Sequence, residues 1–233
     1  SALILPTQDY RRTHIVIPKK LYQGMDAVMH GIAGWYRRRT SIGPLLEREA
    51  ARISEMARGL LLLSDRRLRD RLANIQTQFR RQAKGYENIL PEGIACIVEV
   101  ARRTLALLPY PFQVMGAGAL YRGYLAEMAT GEGKSLTACL PSVLAAWTGR
   151  PFHFITVNDY LVERDATEMG PIYAMLGLKV GFVIHDSDQG GRYDHYRRNI
   201  VYNTSKELVA DFLRDQIQLG VLRNAPQTMV GTL

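Results

Sequence analysis

The feature that most constrains this chain is a glycine-rich hexapeptide, Thr130-Gly131-Glu132-Gly133-Lys134-Ser135. It follows a predicted strand, Tyr124-Leu125-Ala126-Glu127-Met128, and opens a predicted helix, Ser135 to Trp147, which is the setting a phosphate-binding loop requires. Gly131 and Gly133 permit a tight turn and put no side chain between backbone and phosphate. Several N–H groups and the helix N-terminus can then converge on an anion. Lys134 supplies positive charge for the β- and γ-phosphates, and the Ser135 hydroxyl stands where it can coordinate the Mg2+ that neutralises a polyphosphate. Thr130 and Glu132 complete the loop. The general pattern GxxxxGK[ST] asks for Gly where this chain has Met128, so the match is partial, and glycines kept for turn geometry alone are the alternative reading. Cys139, on the same helix, reads as a small buried apolar residue.

Around this loop the hydrophobic period divides the chain. Beyond Pro111, the runs 152–157, 180–184 and 200–202 look like short strands with helical stretches between most of them, which predicts an α/β fold with a parallel sheet covered on both faces. Before Pro109 the pattern is helical, with segments near 22–38, 44–63, 65–84 and 91–108, and Ser64 or Asp65 as the N-cap of the third. In the last segment Ile94, Ile97, Val98, Ala101, Leu105 and Leu108 share one face, whereas Glu99, Arg102 and Arg103 are expected to point elsewhere. Pro91 suits a first helical turn, and Pro109 with Pro111 marks a boundary. Residues 1–20 read as an arm with one strand at 14–17, residues 21–108 as a helical region, and residues 109–233 as the lobe that carries the loop.

Composition narrows the class. With 47% hydrophobic and 22% charged residues the chain is of the folded, globular kind. No run approaches the ~18 apolar residues of a membrane span, so a cytosolic protein is expected. Cys96 and Cys139 lie far apart and the histidines form no ligand-like pair, so neither a disulfide nor a protein-held metal is expected. The net charge of +8 resides in the first half: residues 1–110 hold 19 Lys/Arg against 10 Asp/Glu, and residues 111–233 hold 11 against 12. Such a surface attracts anionic lipid, nucleic acid or an acidic protein, and a merely solvated basic face is equally open.

The segments around the loop resemble the SecA preprotein translocase ATPase, a motor with two helicase-like nucleotide-binding lobes. The resemblance covers about residues 60–216. It rests on Leu63-Ser64-Asp65-Arg66-Arg67-Leu68, Glu87-Asn88-Ile89-Leu90-Pro91-Glu92, Pro111-Phe112-Gln113-Val114-Met115-Gly116 and Ala126 through Ser135. It continues in Thr156-Val157-Asn158-Asp159-Tyr160-Leu161-Val162-Glu163-Arg164-Asp165, Tyr202 through Glu207 and Asp211-Phe212-Leu213-Arg214-Asp215. Met128 fits this family's own loop. The resemblance implies a helicase-like (RecA) P-loop lobe behind an N-terminal helical region, ATP or ADP with Mg2+ as cofactor, and Gln113 as the residue that recognises adenine. A Gln113 that simply caps the following turn is the bland alternative. Asn158 or Asp159 reads locally as a helix cap, and Arg164 with Asp165 as a solvated pair.

The same resemblance implies a parent protein that couples ATP hydrolysis to protein translocation, at the inner face of the cell membrane. Its partners would be a SecYEG-like protein-conducting channel, unfolded preprotein and anionic lipid, with no specific nucleic acid. Hydrolysis also needs a carboxylate near Mg2+ and an arginine for the transferring phosphate. No apolar run ending in Asp-Glu precedes Leu233, so the chain alone is expected to bind nucleotide weakly and to turn none over. The lack of an initial Met and the end at Val230-Gly231-Thr232-Leu233 point to an excised piece or a truncated homologue. A nucleic-acid helicase and a non-enzymatic docking module are the competing functions.

Overall fold

Apolar residues spaced by three and four build the first half of the molecule. In the computed structural model, which describes residues 24–39, 42–81 and 88–224, helices α1 (Met25–Arg39), α2 (Gly43–Leu60), α3 (Asp65–Arg81) and α4 (Leu90–Leu105) follow one another. The expected arm at 1–20, with its strand, lies outside the described residues. Leu46, Ala50, Ile53, Ala57 and Leu60 form the buried stripe of α2, and Leu68, Leu72, Ile75 and Phe79 that of α3. Ser64 starts α3: its hydroxyl accepts from the Arg67 N–H and its carbonyl from the Leu68 N–H. Pro91 sits in the first turn of α4, where no N–H is needed.

The second half alternates as the pattern requires: α5 (Pro111–Tyr121), α6 (Lys134–Trp147), β1 (Phe152–Thr156), α7 (Asp159–Met175), β2 (Val180–Val183), α8 (Gln189–Tyr196), β3 (Ile200–Thr204) and α9 (Ser205–Asn224). The strands form a parallel sheet in the order β1-β3-β2, with Phe152 and Val180 both opposite Ile200. Each neighbouring pair is therefore joined by a crossover that contains helix, α8 between β2 and β3 and α7 to α8 between β1 and β3, as parallel pairing usually requires. Phe154 stacks on Tyr202 at 4.4 Å, and Gly181 lets β2 approach α8, because a Cβ there would lie 3.0 Å from the His195 carbonyl.

Residues 43–210 form one compact unit; the described residues 24–39, 42 and 211–224 belong to a second. Within the first unit α2, α3 and α4 share a continuous core with α6, α7 and the sheet. Gly93 makes this possible where α4 meets α3 and α6, since a Cβ there would stand 2.9 Å from Leu144 and 3.3 Å from Phe79.

Three sequence expectations change. Residues 124–129 form no strand: a strand exists through its ladder, and among the described residues none pairs with this segment. The Tyr124 N–H turns back to the Ala119 carbonyl, and Leu125 is 97% exposed. Helix α4 ends at Leu105 because Ala106 adopts a left-handed conformation (φ 54°), and Leu108 stands 64% exposed instead of joining the core face.

Glu99 does not point to solvent. It is buried, and its carboxylate accepts from Arg102 Nε and Nη2 at 2.8 Å and from Arg103 Nε at 2.6 Å. Arg103 in turn donates to the carbonyls of Leu60 and Leu63 and pairs with Asp65. A charge is tolerated inside when its partners are fixed, and here they also terminate α2 and open α3. The hydrogen bond from Arg102 leads in holding the Glu99 carboxyl below the ordinary glutamate range, against the opposing effect of burial, with Arg103 assisting.

Candidate functional site

The loop 129–133 is shaped by its two glycines and held from one side by α5. Gly131 (φ 87°) and Gly133 (φ 76°) both adopt the left-handed conformation that glycine takes without strain, and Gly133 is the residue before α6. The Thr137 N–H (3.0 Å) and hydroxyl (3.2 Å) both bind the Gly133 carbonyl, which closes the first turn. Lys134, Ser135 and Leu136 occupy the first three positions of α6, whose N–H groups have no intrahelical acceptor, and no side chain caps them. Donors in this state, at the positive end of a helix, suit a phosphate.

The predicted site residues therefore come together in part. Thr130, Gly131, Glu132 and Lys134 are exposed, and Ser135 is half-buried beside Lys134. Among the described residues no acidic group pairs with the Lys134 ammonium, which leaves it available to an anion. No cluster of His, Cys, Asp and Glu among the described residues could hold a metal by itself. A Mg2+ brought by a nucleotide would find the Ser135 hydroxyl one residue from Lys134.

Gln113 is placed against this loop, yet it is buried, and both ends of its amide are engaged. Oε1 accepts from the Tyr110 N–H at 2.8 Å, which caps α5, and Nε2 donates to the Glu132 carbonyl at 2.8 Å. A Cβ at position 133 would lie 2.2 Å from Nε2, so any larger residue there would displace the amide. The capping and the approach to the loop coexist in one side chain. Sequence reasoning missed the supports of this arrangement. Gly116 brings α5 onto α6, where a Cβ would meet Thr137 Cγ2 at 2.9 Å, and Thr137 is itself buried. A threonine two residues after the loop's serine was the available signal.

Beside the loop a cleft of about 370 Å3 opens between α5 and residues 126–132, lined by Phe112, Met115, Met128, Ala129 and Glu132. At its end of α5 the rings of Tyr110 and Phe112 stack in parallel, 5.7 Å apart.

A second polar cluster gathers after the carboxyl ends of the strands. Asn158 caps α7 by accepting from the Leu161 N–H at 2.9 Å, and the Asp159 carboxylate accepts from the His185 N–H at 2.8 Å. Arg192 donates to the carbonyls of Ile184, His185 and Ser187 and pairs with Glu207 at 2.7 Å. Burial works against the charged form of Glu207, yet Arg192 and His185 hold its carboxyl below the ordinary range. Arg164 bonds Asp165 at 2.6 Å, and the carboxylate of that pair is mostly covered, so it is less solvated than the sequence suggests.

Residues 33–230 match the SecA DEAD-like domain. The chain is similar to the protein translocase subunit SecA 2 of Chlorobium chlorochromatii, at 41% identity over 93% of the chain and 33% of the relative. It is also similar to the SecA 2 of Magnetococcus marinus, at 40% over 88% and 32%. The protein translocase subunit SecA of Elusimicrobium minutum is 42% identical over 75% of the chain and 20% of the relative. The chain thus spans about a third or less of the length of these curated relatives.

Proposed function

The chain belongs to the SecA family, and from that premise we propose that it is the ATP-binding front of a motor that couples ATP hydrolysis to protein translocation. One observation carries the reading: three N–H groups without an intrahelical acceptor, a lysine that no acidic group among the described residues pairs with, and a serine hydroxyl stand together at the start of α6 behind two left-handed glycines. In this reading the N–H groups of Gly131 to Ser135 cradle the phosphates and Lys134 neutralises them. The Ser135 hydroxyl takes a place on Mg2+, while Thr130 and Glu132 shape the loop. Gln113 reads adenine with the valences its two backbone bonds leave open, one Nε2 hydrogen and one Oε1 lone pair. Residues 109–233 then form part of the first nucleotide-binding lobe, with 21–108 as its helical preface and 1–20 as an arm.

The chain by itself binds Mg-ATP or Mg-ADP weakly and hydrolyses neither: hydrolysis needs a carboxylate to place the attacking water, and the sequence contains no apolar run ending in Asp-Glu. The parent works at the inner face of the membrane with a protein-conducting channel, an unfolded preprotein and anionic lipid. No described helix is long and apolar enough to cross a membrane. The lipid contact is assigned to α1, where Met25, Val28, Met29 and Ile32 are each more than half exposed and recur at helical spacing ahead of Arg37-Arg38-Arg39.

Calorimetry with Mg-ADP and Mg-ATP tests the reading, on this chain and on Lys134→Ala, with circular dichroism to show that both fold. Binding by the wild type that disappears in Lys134→Ala is expected. A folded wild type that binds neither nucleotide would favour a docking module without nucleotide chemistry, and Lys134-dependent turnover by this chain would overturn its assignment as non-hydrolytic.

A further inference from the structure

Three buried hydroxyls stand in a row that nucleotide binding does not use. Ser142 Oγ donates to the Cys139 carbonyl at 2.7 Å and lies 3.3 Å from the Tyr173 hydroxyl, which lies 2.8 Å from the Tyr202 hydroxyl. All three residues are sealed from solvent. Because the Ser142 proton goes to a carbonyl, one direction satisfies every member: Tyr202 donates to Tyr173, Tyr173 to Ser142, and Ser142 to the backbone of α6. Burial pushes both phenols well above their ordinary range and the neighbouring Cys139 thiol up to about 12, so all remain protonated. A fully satisfied chain of this kind in a low-dielectric interior is cooperative, and losing one member takes a hydrogen bond from each neighbour it held.

The row meets α6 and α7 beside a proline in each. Pro141 precedes Ser142 inside α6, and Pro171 lies two residues before Tyr173 inside α7. Each proline deletes a helical hydrogen bond and loosens the helix there. In α6 the deleted bond is the one to the Thr137 carbonyl, and Thr137 is the residue whose N–H and hydroxyl both hold Gly133. Without an external tie, the first turn of α6 could pivot about the proline.

Building on the nucleotide reading of the loop, we propose that Tyr173 and Tyr202 are positioning residues for it. Their hydroxyl row pins α6 at its proline to α7 and the central strand. It thereby sets the angle at which Lys134, Ser135 and the free N–H groups meet the phosphates.

The test is hydrogen exchange read by mass spectrometry on the full chain, comparing wild type with Tyr173→Phe, Tyr202→Phe and the double variant, followed by Mg-ADP calorimetry on each. Amides 131–136, at the loop end of α6, are expected to exchange at least about threefold faster in either single variant. The double variant should be no worse than the singles, because the links act in series, and Mg-ADP affinity should fall about three- to tenfold. Exchange changes confined to the neighbours of 142, 173 and 202, or spread evenly over α4 and the sheet, would mean a purely structural role and overturn the proposal. Lys134-dependent binding with unaltered affinity in the tyrosine variants overturns it as well and leaves the nucleotide reading intact. Faster loop exchange in a chain that binds no nucleotide removes the nucleotide reading, and with it the phosphate-positioning role.

Discussion

Gln113 joins two backbones across the loop, with Nε2 donating to the Glu132 carbonyl and Oε1 accepting from the Tyr110 N–H, each at 2.8 Å. The amide therefore fixes the loop to the start of α5 without any bound ligand. Gln113→Ala removes both bonds and leaves the Glu132 carbonyl and the Tyr110 N–H to find other partners. A loss of about 1–2 kcal/mol in unfolding free energy by urea titration is expected, together with faster exchange at residues 130–133. Unchanged exchange there would show that the glycines alone shape the loop.

The two loop glycines should respond differently to alanine. Gly131→Ala meets open space, so its cost is the left-handed backbone alone, about 1–2 kcal/mol. Gly133→Ala adds a Cβ 2.2 Å from Gln113 Nε2 to the same strain, and the tether must break or shift. Its cost should exceed that of Gly131→Ala by at least about 1 kcal/mol, and the excess should vanish in a Gln113→Ala background. A double-mutant cycle by urea titration measures that coupling.

Acid should weaken the chain through Glu99 and Glu207. The folded-state pKa of each is lowered, so the stability each contributes is present above the unfolded value, about 4.3, and is lost as pH falls through the lower folded value. The urea midpoint of the wild type should drop between about pH 5 and pH 3. Glu99→Gln should flatten that drop while lowering the midpoint at pH 7, where Arg103 loses its buried counter-charge. A wild-type midpoint insensitive to pH over this window would count against the buried network.

How much of this was legible in the sequence depends on how local its causes are. The stripes of α2 and α3 follow from spacing alone, and the loop announces itself through Gly-x-Gly-Lys-Ser. Glu99 was misplaced because its burial depends on Arg103 reaching the α2–α3 turn, forty residues earlier in the chain. The segment 124–128 has the composition of a strand, but pairing is decided by a neighbour, and among the described residues no strand lies beside it. For Gln113 the sequence suggested a cap or a base contact; that one amide both caps α5 and grips the loop follows only from how closely Gly116 lets the two helices approach.

The apolar face of α1 predicts contact with lipid. Vesicles containing anionic phospholipid should sediment the chain, vesicles of neutral lipid should do so less, and added salt should weaken the effect, since basic residues accompany the apolar stripe. Met29→Asp with Ile32→Asp should abolish sedimentation while leaving Mg-ADP affinity unaltered. Binding that survives this pair of substitutions would move the contact elsewhere on the basic half.

Strand β1 is paired along one side only among the described residues, with β3, and Ile155 and Val157 at its carboxyl end are largely exposed. Its outward row of main-chain groups is a ready template for another extended chain. Handled in isolation at high concentration, the protein should be prone to stack strand on strand into soluble multimers or precipitate. A lysine at Ile155, on this border, should improve its shelf life without touching the phosphate loop.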